Sequence, residues 1–246
     1  MLIYNGERYL NYSLPSILNQ NMSEYEFITV DDNSKDNTLQ ILQKLKDQDQ
    51  RIKIIKNKKN RGTLYSRTMA IIYAKGEYIM NLDCDDIYVR QDLFSIICNN
   101  TKESNYDIVE YLGIAGNSFN FSKKNLLLVN KWDKEDVIFQ PDVSNYPFKN
   151  KHEYRIIYNA NWLRAIKNDI YKKAVTILGN NMELRVLTTD DFTYTIIIHQ
   201  IASTIKKIYI FGVYYILGTT SSLQKNRFLK MNLLMMEFLT FYFLYR

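Results

Sequence analysis

Two stretches decide the fold of this chain: FITVDDNS at residues 27–34 and GEYIMNLDCDD at residues 76–86. In each, a short apolar run ends in a cluster of aspartates, which predicts a buried strand that stops at a polar edge. Around them, apolar residues at helical spacing predict helices over 7–20, 36–48 and 62–74, and a further strand over 51–56. Alternating helices and strands predict an α/β domain with a mostly parallel central sheet flanked by helices.

The composition sets limits on the class of protein. The chain has 246 residues, which suits one domain, and 46% of them are apolar, which is enough for a sizeable core. With 8 glycines and 3 prolines the chain is not generally disordered. It contains no uninterrupted apolar run long enough to predict a transmembrane helix, and its first residues predict no signal peptide. Two cysteines, Cys84 and Cys98, cannot form a disulfide framework, so we expect a reducing compartment.

The charge of the chain is weakly informative. Lysines and arginines outnumber acidic residues by 32 − 26 = +6, which would suit a polyanion or an anionic membrane. The basic residues are spread along a sequence rich in Lys, Asn, Ile and Tyr, and an AT-rich genome explains that better. Only residues 53–61 are densely basic; there Lys58, Lys59 and Arg61 either add positive potential to a site or belong to a solvated loop. No basic motif indicates nucleic acid as a partner.

The carboxyl ends of the predicted strands carry the candidate chemistry. In an open α/β sheet, ligands bind beyond these ends. If the two strands that end in aspartates are parallel neighbours, then Asp31, Asp32, Asp83, Asp85 and Asp86 converge at one edge. Their mutual repulsion favours a hard cation with oxygen ligands, Mg²⁺ or Mn²⁺. The alternative is that individual aspartates cap turns or helices, which suits Asp31 and Asp36.

A larger set of short motifs extends over residues 4–86, and both the order and the spacing of these motifs are informative. In chain order the set is Tyr4-Asn5-x-Glu7, Ser16-Ile17-Leu18-x-Gln20, Val30-Asp31-Asp32-Asn33-Ser34-x-Asp36-Asn37-Thr38, Arg51-Ile52, Asn60-x-Gly62, Ser66-Arg67, Ala74-x-Gly76-Glu77-Tyr78-Ile79 and Leu82-Asp83-Cys84-Asp85-Asp86. The set resembles the N-terminal half of family 2 glycosyltransferases, and the resemblance implies the GT-A nucleotide-diphospho-sugar transferase fold.

The resemblance also implies roles for individual residues. It assigns the nucleotide pocket to Tyr4, Asn5, Glu7, Asp32, Arg67 and Asp83. Within that pocket it implies that Tyr4 packs on the base, that Asp32 accepts a hydrogen bond from it, and that Asp83 lies near the ribose. Arg67 would face a carbonyl or phosphate oxygen. Asp85 would hold the divalent cation, Mn²⁺ or Mg²⁺, which neutralises the diphosphate leaving group.

The catalytic base of such a transferase is expected about a hundred residues later. The family has a Glu-Asp pair at the start of a helix, and here Thr188-Thr189-Asp190-Asp191-Phe192 opens a helical run. The resemblance therefore implies that Asp191 is the general base, with Asp190 where glutamate is usual. The alternative is that Thr189 or Asp190 caps the helix and Asp191 interacts with its dipole. His152 and His199 are predicted to be surface or core residues, not ligands.

The second half of the chain has a weaker pattern. It predicts strands at Tyr106–Leu112 and Tyr209–Leu217 and helices over 152–173 and 188–206, and the segment Lys207 to Ser222 resembles the strand after the base helix in part of the family. We divide the chain into a nucleotide-sugar-binding half, 1–100, an acceptor-binding and catalytic-base half of the same domain, 101–222, and an apolar C-terminal helix, 223–246. That helix is either core or interface, or it contacts a membrane surface.

The start of the chain departs from the family pattern. Only Met1-Leu2-Ile3 precedes Tyr4, where the family has a full apolar strand, and Thr68 replaces the usual asparagine after Arg67. We expect either that the short strand suffices or that the chain is a fragment or a mis-started gene product. An absent segment could have carried a targeting signal. The default location is the cytoplasm or the cytosolic face of a membrane.

Three functions are open from the sequence. The first is a metal-dependent, inverting glycosyltransferase that moves a sugar from a UDP-sugar to a hydroxyl of a glycan, lipid or protein. The second is a non-catalytic binding or scaffold protein with the same fold. The third, a nucleic-acid-binding protein, is disfavoured because acidic clusters repel phosphate unless a metal intervenes.

Overall fold

The computed structural model describes residues 1–116, 127–128, 136–139, 161–179 and 190–216. The strands are β1 Leu2–Ile3, β2 Phe27–Asp31, β3 Ile52–Lys56, β4 Tyr78–Met80, β5 Ile87–Tyr88, β6 Ile108–Gly116, β7 Leu127–Leu128, β8 Asp136–Phe139, β9 Arg164–Lys167 and β10 Thr204–Ile216. The helices are α1 Glu7–Leu18, α2 Thr38–Gln48, α3 Thr63–Tyr73, α4 Leu93–Ser104, α5 Asn168–Leu178 and α6 Asp190–Ile201, with a 3₁₀ turn at Asn161–Leu163.

The first sheet is parallel and has the order β1-β2-β3. Its middle strand, β2, is buried along its whole length, as expected for a strand flanked by neighbours and helices. β1 is short, yet Leu2 and Ile3 pair in register with Val30 and Asp31. The predicted alternation of helices and strands over the first 82 residues is confirmed, with ends that shift by one or two residues.

The second sheet is mixed. Its order is β4-β9-β6-β10-β5, with β7 added to β6 and β8 to β10. β6 and β10 run parallel, and the remaining pairs are antiparallel. The predicted fold class, an α/β fold with a parallel sheet and flanking helices, is confirmed, and the antiparallel pairings are an addition that the sequence pattern did not indicate.

The strands that end in the two acidic clusters are not neighbours. β2 belongs to the first sheet, whereas β4 pairs with β9 in the second. The prediction that five carboxylates converge at one sheet edge required these two strands to be parallel neighbours, and that requirement is not met. The reason is tertiary: residues 164–167, which lie far along the chain, supply the partner strand of β4.

Two predicted helices are wrong in part. The helix expected over 152–173 contains the 3₁₀ turn and strand β9 before α5 begins at Asn168. The helix expected over 188–206 ends at Ile201, and Thr204 already belongs to β10. In both places apolar residues at helical spacing form strands instead. The strand β9 pairs with β4 on one side and β6 on the other, and β10 pairs along β6.

The core has two main clusters. One lies between the first sheet, α1, α4 and the strands β6, β9 and β10, and the other packs the same three strands against α3, α5 and α6. The predicted C-terminal helix at 223–246, Thr188, Thr189, His152 and residues 217–222 fall outside the described residues. Among the helices that the structure describes, none has the length and apolarity needed to cross a membrane.

Candidate active site

The loop after β1 is tied to the loop before α2. Asn5 adopts a left-handed conformation with φ 52°, and its backbone N–H donates to Ser34 Oγ at 3.0 Å. The side chain of Asn5 accepts from the N–H of Lys35 at 2.8 Å. Glu7 accepts from both the backbone and the side chain of Asn37, at 3.0 and 2.8 Å. Asn5 and Glu7 therefore hold the two loops together, while the predicted base-stacking residue Tyr4 remains 50% exposed.

Two aspartates of the first cluster organise turns, as the capping alternative predicted. Asp31 Oδ1 accepts from the N–H of Ser34 at 3.2 Å. Asp36 Oδ1 accepts from the N–H of Thr38 at 3.1 Å, and Asp36 Oδ2 accepts from the N–H of Glu7 at 3.0 Å. Asp31 thus shapes the turn that follows it, and Asp36 both caps α2 and ties the loop before α2 to the start of α1.

Asp32 is buried, and its carboxylate points back onto the chain. Its Oδ1 accepts from Asn57 Nδ2 and from the backbone N–H of Arg61, both at 2.8 Å. Its Oδ2 accepts from the backbone N–H of Gly62 at 2.8 Å. Gly62 has φ 86°, a left-handed conformation that favours glycine, and it is the N-cap residue immediately before α3. Asp32 thus fixes the start of the helix that carries Arg67.

The loop after β4 carries the second acidic cluster and lies against the first loop. A Cβ added to Gly6 would lie 2.6 Å from Ile3 Cγ2 and 3.4 Å from Cys84 Sγ, so the glycine permits this close approach. Burial, followed by the charge of Asp85, raises the pKa of the Cys84 thiol well above its usual range. A neutral thiol therefore packs between the loops.

Asp86 anchors this loop to the second sheet. It is fully buried, and its Oδ1 accepts from the N–H of Ile216 in β10 at 3.2 Å. Burial, with smaller contributions from the charges of Asp85 and Asp83, raises the pKa of Asp86 well above its usual range. Asp86 therefore differs in kind from Asp83 and Asp85, which are only partly buried.

Arg67 connects the second acidic cluster to α6. Arg67 lies on α3 and its side chain is buried. Its Nη1 donates to Asn81 Oδ1 at 3.0 Å. Its Nη2 lies 3.1 Å from Asp191 Oδ1 and 3.7 Å from Asp83 Oδ1. One cation thus brings together two of the carboxylates that the sequence singled out, although they are separated by more than a hundred residues.

Asp191 lies in the first turn of α6, as predicted for the base. Its side chain keeps 26% of its surface exposed, so it remains within reach of a ligand. α6 is fixed against α3 because Thr68 Oγ1 and the hydroxyl of Tyr194 are 2.5 Å apart, and Thr68 Oγ1 also donates to the carbonyl of Leu64 at 2.8 Å. The threonine that departs from the family pattern therefore helps to hold the Arg67 and Asp191 helices together.

The sequence missed several residues of the site. Asn81 and Asn57 are buried and hold Arg67 and Asp32, and Asn161 donates to Asp191. Isolated asparagines have no distinctive pattern, so nothing marked them. Glu110 was detectable in principle, because a charge within the apolar run Tyr106–Leu112 requires a buried partner. That partner is Arg164, whose Nε lies 2.6 Å from Glu110 Oε1.

The donor set fits a cation that is shared with a substrate. Among the described residues, no group of three or more His, Cys, Asp or Glu side chains lies close enough to hold a metal ion alone. Asp85 is partly exposed in the loop that Asp83 and Asp86 flank. Mg²⁺ and Mn²⁺ commonly use one or two carboxylates together with water and substrate phosphates. The site matches that pattern and not an all-protein cage.

His199 belongs to the core of α6. It is buried, and its Nδ1 lies 2.7 Å from the carbonyl oxygen of Thr195. Burial, and next the charge of Arg164, lowers the pKa of His199 to about 3. The imidazole is therefore neutral at physiological pH, and of the two positions predicted for it, surface or core, His199 occupies the core.

Comparison with known proteins supplies an independent result. The profile described as "Glycosyl transferase family 2" matches residues 1–136. An uncharacterized glycosyltransferase of Haemophilus influenzae is 37% identical over 93 residues, which cover 38% of this chain and 37% of that protein. The Escherichia coli protein named "UDP-Glc:alpha-D-GlcNAc-diphosphoundecaprenol beta-1,3-glucosyltransferase WfgD" is 29% identical over 181 residues, 68% of each protein. This chain spans well under half the length of several curated relatives that it matches.

Among solved structures, S. aureus TarS 1–349 superposes with a TM-score of 0.65 at 19% identity, over 87% of this chain and 58% of that chain. TarS has also been crystallised in complex with UDP and with UDP-GlcNAc. At this level of identity the likeness establishes a shared GT-A-like fold.

Proposed function

The chain belongs to glycosyltransferase family 2, and from that premise we propose that it is a metal-dependent, inverting transferase that moves a sugar from a UDP-sugar to a hydroxyl of a glycan or lipid acceptor. The observation that carries the proposal is the bridge made by Arg67. It joins Asp191, at the start of α6, to Asp83, in the loop that also carries the candidate metal ligand. The candidate base and the candidate leaving-group site thus lie in one cluster, close enough to act on the same donor and acceptor.

The donor side of the site is built from the loop after β1, the loop before α2 and Asp32. Tyr4 is half exposed and offers a ring on which a base can stack. The Asp32 carboxylate accepts three hydrogen bonds from the chain, and a carboxylate offers about four acceptor positions. One position therefore remains for an N–H of uracil. The TarS complexes with UDP and UDP-GlcNAc support a uridine nucleotide as the donor carrier.

The acceptor side of the site is built around Asp191. Asp191 takes the proton from the acceptor hydroxyl as its oxygen attacks the anomeric carbon. The bond from that carbon to the UDP oxygen breaks on the opposite face, so the configuration at the carbon inverts. A divalent ion held by Asp85 would neutralise the charge that develops on the diphosphate. The name of the Escherichia coli relative, a glucosyltransferase acting on a diphosphoundecaprenol-linked sugar, supports a lipid-linked glycan as the acceptor.

The proposal is tested by thermal melts with UDP, with Mn²⁺ and with both. A ligand that binds only the folded protein raises the midpoint by mass action. We expect a rise that needs UDP and Mn²⁺ together in the wild type, and none in Asp85→Ala. Asp47→Ala, an exposed aspartate on α2, is the matched control and should respond as the wild type does.

The second stage of the test measures release of UDP from UDP-glucose and UDP-GlcNAc in the presence of Mn²⁺, with and without lipid-linked glycan acceptors. Turnover that disappears in both Asp85→Ala and Asp191→Asn supports the proposal. A cooperative melt that UDP and Mn²⁺ never shift would contradict it and would favour the non-catalytic binding protein.

A further inference from the structure

Asn161 holds Asp191 at two points. It begins the 3₁₀ turn, and its side chain is completely buried. Its Nδ2 lies 3.2 Å from the backbone carbonyl of Asp191 and 3.4 Å from Asp191 Oδ1. The amide therefore contacts both the backbone and the carboxylate of the same residue. Arg67 Nη2 lies 3.1 Å from the same oxygen, Oδ1.

A chain of buried hydrogen bonds continues behind Asn161. Thr195 Oγ1 donates to Asn161 Oδ1 at 3.3 Å, and Arg164 Nη1 donates to Thr195 Oγ1 at 3.1 Å. Arg164 is paired in turn with Glu110 at 2.6 Å. Every member is buried, and together they join β6, β9 and α6 to the turn at 161–163.

The chemistry of these groups gives the chain a direction. A guanidinium has donors and no acceptor, so the Thr195 hydroxyl must accept from Arg164. The hydroxyl then has its own proton to give, and it gives it to the amide oxygen of Asn161. With its oxygen engaged by Thr195, the amide presents its NH₂ group to Asp191. The orientation of Asn161 is thus set by Arg164, two contacts away.

We propose that Asn161 is a positioning residue for the carboxylate of Asp191, and that Thr195 with the Arg164–Glu110 pair keeps the amide of Asn161 in the orientation that donates to it. The inference rests on the proposed function, since it treats Asp191 as the base. Arg67 and Asn161 both contact Oδ1, so together they restrict rotation of the carboxylate about its Cβ–Cγ bond. A base must be held in line with the proton that it accepts, and displacement by about 1 Å can cost about a hundredfold in rate.

A purely structural role for the chain would give a different result. Buried polar groups need partners whatever their function, so loss of a hydroxyl would lower stability and leave turnover of the folded protein unchanged. A positioning role predicts a fall in kcat with little change in the KM for the donor, because the donor side of the site lies on other loops. The two roles are therefore separable by kinetics on protein that is shown to be folded.

The matched variants are Thr195→Val and Thr195→Ser. Valine keeps the shape of threonine and lacks the hydroxyl, whereas serine keeps the hydroxyl. The measurement is release of UDP from UDP-glucose and UDP-GlcNAc with Mn²⁺, beside melts with UDP and Mn²⁺ that report folding and donor-site integrity. We expect kcat to fall by roughly 10- to 100-fold in Thr195→Val, with KM within about twofold, and we expect Thr195→Ser to retain most of the wild-type rate.

Further variants make the outcomes distinct. If Thr195→Val does not fold, Thr195→Ala tests the same loss with a strong helix former. A kcat equal to wild type in either folded variant would overturn the inference. Asp191→Asn is measured in parallel: wild-type turnover in that variant would refute the proposed function itself, whereas its loss beside unaffected Thr195 variants would refute only the positioning role.

Crystal structures of the Thr195→Val and Thr195→Ser proteins provide a readout that needs no substrate. We expect the serine protein to keep the contacts of Asn161 with Asp191. In the valine protein we expect the amide of Asn161 to turn and the carboxylate of Asp191 to shift. An Asp191 carboxylate in the same place in both crystals would contradict the inference.

Discussion

The two ends of the site hold their aspartates in different ways. At the donor end, Asp32 is buried and receives two backbone N–H groups and one side-chain amide, all from residues 57–62. At the acceptor end, Asp191 keeps 26% of its side-chain surface exposed and is held by Arg67 and Asn161, which come from distant parts of the chain. The first carboxylate organises its own neighbourhood, and the second is organised by its neighbours.

The difference separates structural from chemical use of a carboxylate. A carboxylate whose oxygens are mostly saturated by the chain contributes chiefly to shape, here to the start of α3. A carboxylate held at a partly exposed position keeps surface for a substrate. The comparison predicts that changes at the donor end act mainly on stability and UDP binding, whereas changes at the acceptor end act on turnover.

The largest expected effect separates the two ends directly. Asp191→Asn should lower kcat by about 10²- to 10⁴-fold, because the proton of the acceptor has no base to receive it, and the melt with UDP and Mn²⁺ should still shift as in the wild type. Asp32→Asn should instead weaken the UDP-dependent shift. Steady-state UDP release and thermal melts on both variants check this. Equal loss of UDP binding in both would break the comparison.

The next effect tests the support beneath the acceptor end. Arg164→Met removes the guanidinium that pairs with the buried carboxylate of Glu110, so the free energy of unfolding should fall by about 3–5 kcal/mol. The double variant Arg164→Met with Glu110→Leu should recover most of that loss, because neither charge then remains buried. Urea unfolding of the three proteins gives the free energies of unfolding. A double variant less stable than the single one would show that the unpaired charge is not the cause of the loss in Arg164→Met.

A smaller loss is expected at the donor end. Asp32→Ala removes the acceptor of three N–H groups, two of them in buried hydrogen bonds, and the loss of this acceptor should cost about 2–3 kcal/mol in the free energy of unfolding. Amide hydrogen exchange at Arg61 and Gly62 should become faster in this variant. Asp47→Ala is the matched control. An equal loss in the free energy of unfolding in that control would contradict the anchoring role of Asp32.

The smallest effect is a dependence on pH that belongs to the acceptor end. The pKa of His199 falls from 6.5 to about 3 on folding, because of burial and then of Arg164. Below its unfolded pKa the unfolded chain binds more protons, so stability is lost as the pH falls, by about 1.4 kcal/mol per pH unit. Compared with His199→Gln, the wild type should lose about 2 kcal/mol more between pH 6.5 and about pH 5. Identical slopes in urea unfolding would contradict the shift.

The first 82 residues were predictable because their structure is local. Phe27–Asp31 is a buried apolar run, Asp31 accepts from Ser34 and Asp36 from Thr38, and α3 follows a glycine with positive φ. Each of these features depends on neighbours in sequence, and periodicity and turn residues encode them. The family resemblance added roles for Tyr4, Asp85 and the other motif residues, and those roles stay predictions.

The second half was less predictable because its structure depends on pairing between distant segments. Apolar residues at 164–167 and from 204 onward fit a helical pattern, but the open positions beside β4 and β6 draw them into strands. Asn161 has no sequence pattern, and its contact with Asp191 spans 30 residues. Single-sequence periodicity contains no information about such pairings.

The α/β class, the family, the aspartate-rich loops and the position of Asp191 at the start of a helix could all be predicted, because apolar spacing and ordered motifs are properties of the chain. Three features follow from packing between distant segments: the strands preceding the two acidic clusters lie in different sheets, Arg67 joins Asp83 to Asp191, and Arg164 orients Asn161. The physical reason is that these contacts satisfy buried charges and amides, and which partner satisfies a buried group is settled only when distant segments pack together.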